Sequence, residues 1–141
     1  MNAAILSAGI GALLLFAGVA LLITCLWWRI GTSPSARWWV RREPIDALTR
    51  RPVAEGVALV LLPVLGVTLI GAGCVAALFT AIDRYEPWAI AILVLVVLGT
   101  GASWLVARLL VMYRTVLPLW LYPKWLRGQR RAERDWLRAH R

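Results

Sequence analysis

Apolar side chains fill three long stretches of this chain, and nearly all charge lies between or after them. The third stretch shows the pattern most plainly, with no charged side chain from Trp88 to Ala107. At about 1.5 Å of rise per residue, a helix of that length covers roughly 30 Å, the thickness of a bilayer's hydrocarbon core. A helix on a soluble protein carries a polar face with a 3.6-residue period, and none is present here. The same reading of all three stretches predicts spans over about 3–28, 54–82 and 88–113. The expected fold is an all-α integral membrane protein with three transmembrane helices plus a C-terminal interfacial amphipathic helix. Residues 1–128 form the three-span domain and 129–141 the basic amphipathic tail.

The breaks are equally legible. Gly31-Thr-Ser-Pro-Ser35 is turn chemistry. Pro44 to Arg51 suits a short helix with proline at its first position, supported by Asp46 and Arg50 four apart. Pro63 removes a helical hydrogen bond and predicts a kink in the second span. Ile82 to Pro87 is a tight connection that folds the second and third spans into an antiparallel hairpin, and Asp83 and Glu86 read as exposed loop charges. Leu117-Pro-Leu-Trp-Leu-Tyr-Pro123 is apolar, but too short and too proline-broken to span again. A final helix is expected from Arg130. Glu55, one turn after Arg51, reads as its salt-bridge partner at the membrane surface.

Small residues mark the faces on which membrane helices approach closely. Ser7, Gly11 and Gly18 form one such face on the first span, and Gly73 and Ala77 a pair on the second. Gly99, Ser103 and Ala107, evenly four apart, are the clearest stripe in the chain. Tryptophan favours the headgroup level, so Trp27, Trp28, Trp38, Trp39, Trp120, Trp125 and Trp136 are expected as interface anchors.

Composition agrees with the pattern: 61% of residues are hydrophobic and 16% charged, far from soluble averages. The net charge of +9 gains meaning from its placement. The N-terminal flank has no basic side chain, the first connection has six, the second only Arg84, and the end of the third span with the tail has nine. The positive-inside rule then puts the N-terminus outside and the C-terminus in the cytoplasm of a bacterial inner membrane. Arg108, at the inner end of the third span, is expected to snorkel to the headgroups. Arg41, Arg42, Arg50 and Arg51 in the first connection, with Arg130, Arg134, Arg138 and Arg141 on one stripe of the tail, are the expected surface for anionic lipid or a protein partner. No recognition motif supports nucleic acid as a partner.

Candidate chemistry is sparse. Cys25 and Cys74 lie at different depths, which argues against a bridge, and His140 is the only histidine. Leu22-Ile-Thr-Cys25 lacks the preceding charged region of a lipidation signal. No phosphate loop, nucleophile elbow or metal-ligand cluster is present, so no enzyme activity, cofactor or metal is expected. The span cores offer hydroxyls alone as polar groups: Ser7, Thr24, Thr68, Thr80, Thr100 and Ser103. These features suit an accessory or structural subunit that packs in a homo-oligomer or a larger membrane complex. The layout of three spans, outside N-terminus and basic cytoplasmic tail also resembles one class of bacteriophage holins. That is a resemblance of layout, carried by no residue motif, and the long first connection departs from the compact loops of such proteins. It would imply accumulation in the inner membrane followed by pore opening.

Overall fold

A computed structural model describes residues 3–38, 53–81, 87–113 and 117–139. The described residues are all-α: α1 (Ala3–Ile30), α2 (Pro34–Trp38), α3 (Val53–Gly56), a π-helical turn (Val57–Leu61), α4 (Leu62–Ala81), α5 (Pro87–Tyr113) and α6 (Lys124–Ala139). Three stretches are long and apolar enough to cross a membrane: Leu6–Ile30, Val57–Phe79 and Pro87–Met112. The short helix expected over Pro44 to Arg51, the Arg51 partner expected for Glu55 and the acidic turn at Asp83 and Glu86 lie outside the described residues.

α1 ends where the sequence changes from apolar to turn chemistry. Gly31 has a φ of +63°, and its N–H bonds to the Trp27 carbonyl at 3.1 Å. That left-handed residue closes the helix as glycine commonly does. Ser33 and Pro34 then start α2, with proline at the first helical position where its missing N–H costs nothing.

The second span carries Pro63 without a break in the helix. The segment before it widens, and the Leu62 N–H reaches back five residues to the Val57 carbonyl. A proline ring presses on the carbonyl four residues back, and the wider turn makes room for it. Where a kink is expected at Pro63, the described residues show a π turn immediately upstream.

α1 and α4 form the tightest pair of helices, and glycine is the reason. A Cβ on Gly18 would lie 2.8 Å from the Gly66 carbonyl oxygen, and one on Gly73 would lie 2.9 Å from that of Gly11. The two contacts are seven residues apart on both antiparallel helices, the repeat that keeps one face turned toward its neighbour. Leu15 and Leu22 of α1 and Ile70 of α4 fill the spaces beside the glycines. Close backbone approach of this kind stabilises helix pairs in lipid through dispersion, since burial from water contributes nothing there.

α5 lies along the second span with lighter contact. Val96 meets Gly71 at one end, and Val111 meets Gly56 at the other. Between them, the Trp104 indole N–H donates to the Thr68 hydroxyl at 3.0 Å. Furrows open beside this contact. One is lined by Arg29, Pro63, Val64, Ser103 and Val106, the other by Leu61, Gly101, Trp104 and Arg108.

The densest core sits at one end of the bundle. Cys25 and Trp28 of α1, Ala58 to Val60, Ala107, and Leu117, Leu121, Tyr122 and Leu126 bury one another there. This is the end at which α1, α5 and the start of the second span meet the arginine-rich segments.

α6 begins at Lys124, five residues before the expected tail boundary. The N–H groups of Leu126 and Arg127 both bond to the Pro123 carbonyl and start the helix there, upstream of the expected Arg130. Leu126, in the first turn, anchors α6 to the core.

Candidate functional site

The most distinctive chemistry in the described residues is a buried ion-pair cluster at this same end. Glu55 comes from α3, one turn before the second apolar span. Arg130 comes from the middle of α6, and its guanidinium donates to the Glu55 carboxylate at 3.1 Å. A second guanidinium nitrogen donates to Glu133, one turn further along α6. Arg130 is fully buried and Glu55 is 3% exposed. Charges this far from water persist only when paired and hydrogen-bonded, and both conditions hold here.

Tyr122 closes the cluster. The Arg130 guanidinium carbon stands 5.9 Å from its ring centroid, within range of a cation–π contact. Its hydroxyl accepts the Leu117 N–H at 3.0 Å, and the Glu55 charge lies nearby. Burial, and then the neighbouring Glu55 charge, push the phenol well above its ordinary value, which outweighs the opposing pull of the Leu117 bond and Arg130. The phenol stays protonated and available as a donor.

Arginines fasten the backbone around this cluster. Arg29 donates to the Leu121 carbonyl at 3.3 Å. Arg127 donates to the Tyr122 carbonyl at 2.9 Å and the Trp120 carbonyl at 3.3 Å, and Arg37 to the Gly31 carbonyl at 2.7 Å. Arg37 also lies over the Trp125 ring, 5.8 Å from its centroid. Trp125 in turn covers the Gly31 backbone, so α6 is held against the C-terminal end of α1.

The structure sorts the expected site residues. Gly11, Gly18 and Gly73 meet one another's helices, and Ala77 offers its backbone to Gly11. Ser7 is half-buried on the same helix. Ala107 is buried in the core, but a Cβ on Gly99 would meet nothing within 4 Å among the described residues, and Ser103 is exposed. Among the described residues the Gly99–Ser103 stripe borders a furrow beside Pro63, Val64 and Val67 and makes no close helix contact.

Arg130 corrects a second expectation. It points into the protein to a carboxylate 75 positions away, not out to lipid. Arg134 is half-buried and Arg138 exposed. Arg41, Arg42, Arg50, Arg51 and Arg141 lie outside the described residues.

Among the interface tryptophans, Trp27, Trp120 and Trp136 are exposed. Trp28 instead fills the core, and Trp125 is half-buried over Gly31. The backbone at Trp38 closes α2, and Trp39 lies outside the described residues. Arg108 is exposed near the end of α5, with its Nε at 3.4 Å from the Met112 sulfur.

Sequence reading missed Gly66, Tyr122 and Glu55 as partners. Gly66 stands seven residues before Gly73, the same interval as Gly11 to Gly18, and that matched spacing is the signal that finds it. Glu55 is the sole acidic residue between Asp46 and Asp83, and its position at a span end hides its role.

Both cysteines are free: Cys25 is buried in the same core as Tyr122, and Cys74 is exposed. Among the described residues no three His, Cys, Asp or Glu side chains come together to hold a metal ion. No family model matches the chain, no curated protein matches it, and no solved structure matches it.

Proposed function

We propose that this chain is a small, non-catalytic, polytopic protein of a bacterial inner membrane, N-terminus outside and C-terminus in the cytoplasm, acting as an accessory or structural subunit. In this reading its transmembrane part packs within a homo-oligomer or a larger complex, and its arginine-rich segments face the cytoplasm and anionic lipid. The observation that carries it is the division of small-residue faces. Gly11 and Gly18 of α1 and Gly66 and Gly73 of α4 are consumed by packing inside the chain, whereas Gly99 of α5, like Gly9 of α1, has open space where a side chain would stand. The Ser103 hydroxyl, one turn after Gly99, is already bonded to the Gly99 carbonyl at 2.8 Å, so the Gly99–Ser103 face offers close approach rather than polarity. The buried cluster supports the same reading, since it fixes α6 at the end of the bundle where a cytoplasmic partner would dock.

The test is the double substitution Gly99→Ile with Ser103→Ile, followed by co-purification and particle mass in detergent. Loss of associated protein or of oligomer mass is expected, and an unchanged particle would remove the face from the account. The holin-like layout comes second. The Thr24, Thr68 and Ser103 hydroxyls each bond to the carbonyl four residues back, which leaves a pore little polar lining. Induced expression with membrane potential followed over time separates the two. Harmless accumulation is expected, and abrupt depolarisation at a fixed time would put the pore first.

A further inference from the structure

We infer that the furrow between the second span and α5 is a binding site for a single anionic phospholipid, with Arg29 at its mouth. The inference rests on the membrane placement proposed above and adds a defined ligand and site to it. The furrow at the core end has a volume of about 440 Å³, within the range of small-ligand sites. Its walls are Pro63 and Val64 on one side and Ala102, Val106 and Leu110 on the other. A second furrow continues from it past Pro63, Val64 and Ser103 to Gly71 and Val96. From Leu110 to Val96 the run along α5 is roughly 21 Å, more than the roughly 15 Å of one leaflet's hydrocarbon. An acyl chain therefore has a continuous apolar track.

Charge settles which occupant fits. Arg29 is the one charged side chain lining the core-end furrow, and it lies one residue before the end of the first span. One guanidinium nitrogen is held by the Leu121 carbonyl, which orients the group. The side chain remains exposed, with further donors directed elsewhere. A lipid lying in the furrow carries its phosphate at this level, where a guanidinium offers paired donors to it. An apolar helix of another protein would bring nothing to satisfy this cation. The lipid reading accounts for both the track and the charge at its end.

The test uses the full chain purified in mild detergent, with phosphatidylglycerol or phosphatidylcholine added in mixed micelles and retained lipid counted by native mass spectrometry. The wild type is expected to prefer phosphatidylglycerol about fivefold, the factor one basic side chain contributes beside an anionic headgroup. Arg29→Gln is expected to abolish the preference, and Arg29→Lys to keep most of it. Ala102→Phe, which fills the furrow from α5, is expected to lower retention of both lipids. Equal retention of the two lipids by the wild type, or unchanged retention in both Arg29→Gln and Ala102→Phe, overturns the inference. So does an Ala102→Phe variant that keeps its lipid and changes particle mass, because the furrow then belongs to a second copy of the chain. Recovery of the protein in the aqueous fraction would instead defeat the membrane placement itself, and that result is read separately.

Discussion

The Arg130 guanidinium and the Glu55 carboxylate meet at 3.1 Å with neither side chain reaching solvent. The pair joins the tail helix to the start of the second span across 75 positions of sequence. Removing water from two charges is costly, and their attraction offsets that cost only with good geometry and further hydrogen bonds. Glu133 supplies one such bond and the Tyr122 ring a cation–π contact, while the Arg130 Nε is buried without a hydrogen-bond partner among the described residues. The pair therefore acts mainly as a fixed address for α6.

Breaking one side of this pair has a definite sign. Arg130→Met leaves the Glu55 carboxylate buried without its cation and is expected to cost about 3–5 kcal/mol. Combining it with Glu55→Gln removes the orphan charge, and most of that loss is expected to return. Denaturant unfolding in detergent of the two single variants and the double variant reads this directly. Strictly additive losses would contradict the coupling.

Tyr122 gives the fold an alkaline limit. Its folded pKa is raised, so the stability it contributes is fully present below the unfolded tyrosine value of about 10. That contribution falls as pH rises from there toward the folded pKa, because the unfolded chain releases the proton first. Tyr122→Phe is expected to lower stability at neutral pH and to flatten its decline above about pH 10. Melting curves of both proteins between pH 8 and pH 11, at about half-unit steps, test this, and parallel declines would rule it out.

The glycines of the bundle separate into two groups by what a methyl group would meet. Gly18→Ala and Gly73→Ala force α1 and α4 apart, because the obstacles include backbone atoms under 3.0 Å away. Each is expected to cost about 1–3 kcal/mol. Gly9→Ala and Gly99→Ala meet nothing and gain helix propensity, a change of up to about 1 kcal/mol in the stabilising direction. Thermal unfolding of the four variants should place them on opposite sides of the wild type.

The Trp104–Thr68 bond is the one described polar link between side chains of α4 and α5. Interhelical hydrogen bonds in membranes average about 0.6 kcal/mol. Thr68→Val is expected to lose about that much, and Trp104→Phe added to it to lose no further hydrogen-bond contribution. A double-mutant cycle with zero coupling would show that the bond is not formed.

Much of this architecture is written locally, and what is not local was hidden. The three spans follow from uninterrupted apolar runs, and their ends fall within a few residues of the expected limits. Gly11, Gly18 and Gly73 stand out as close-approach positions because small residues recur on one face. Which helix each would meet depends on antiparallel register, which no single helix reveals. Gly99 and Ser103 make a more regular stripe than any of these, yet among the described residues they border a furrow beside the second span rather than a close helix contact. Regular spacing marks a face without naming its partner.

The cluster was illegible for a different reason. Arg130 shares its period with Arg134 and Arg138, and periodicity alone assigns all three to one surface. The first of them is turned inward by Glu55, a residue that sequence proximity pairs with Arg51. Ion pairs between distant segments leave no pattern along the chain.

Sidedness is the claim on which the remaining ones depend, and substituted-cysteine labelling measures it most directly. In a background carrying Cys25→Ala and Cys74→Ala, single cysteines replace Ser35, Arg138 and Asn2, and intact cells are treated with a membrane-impermeant thiol reagent before or after opening. Positions 35 and 138 are expected to react only once the cytoplasmic face is exposed, and position 2 from outside. Reaction of positions 35 and 138 from opposite faces would contradict an arginine-rich end gathered on one side of the membrane.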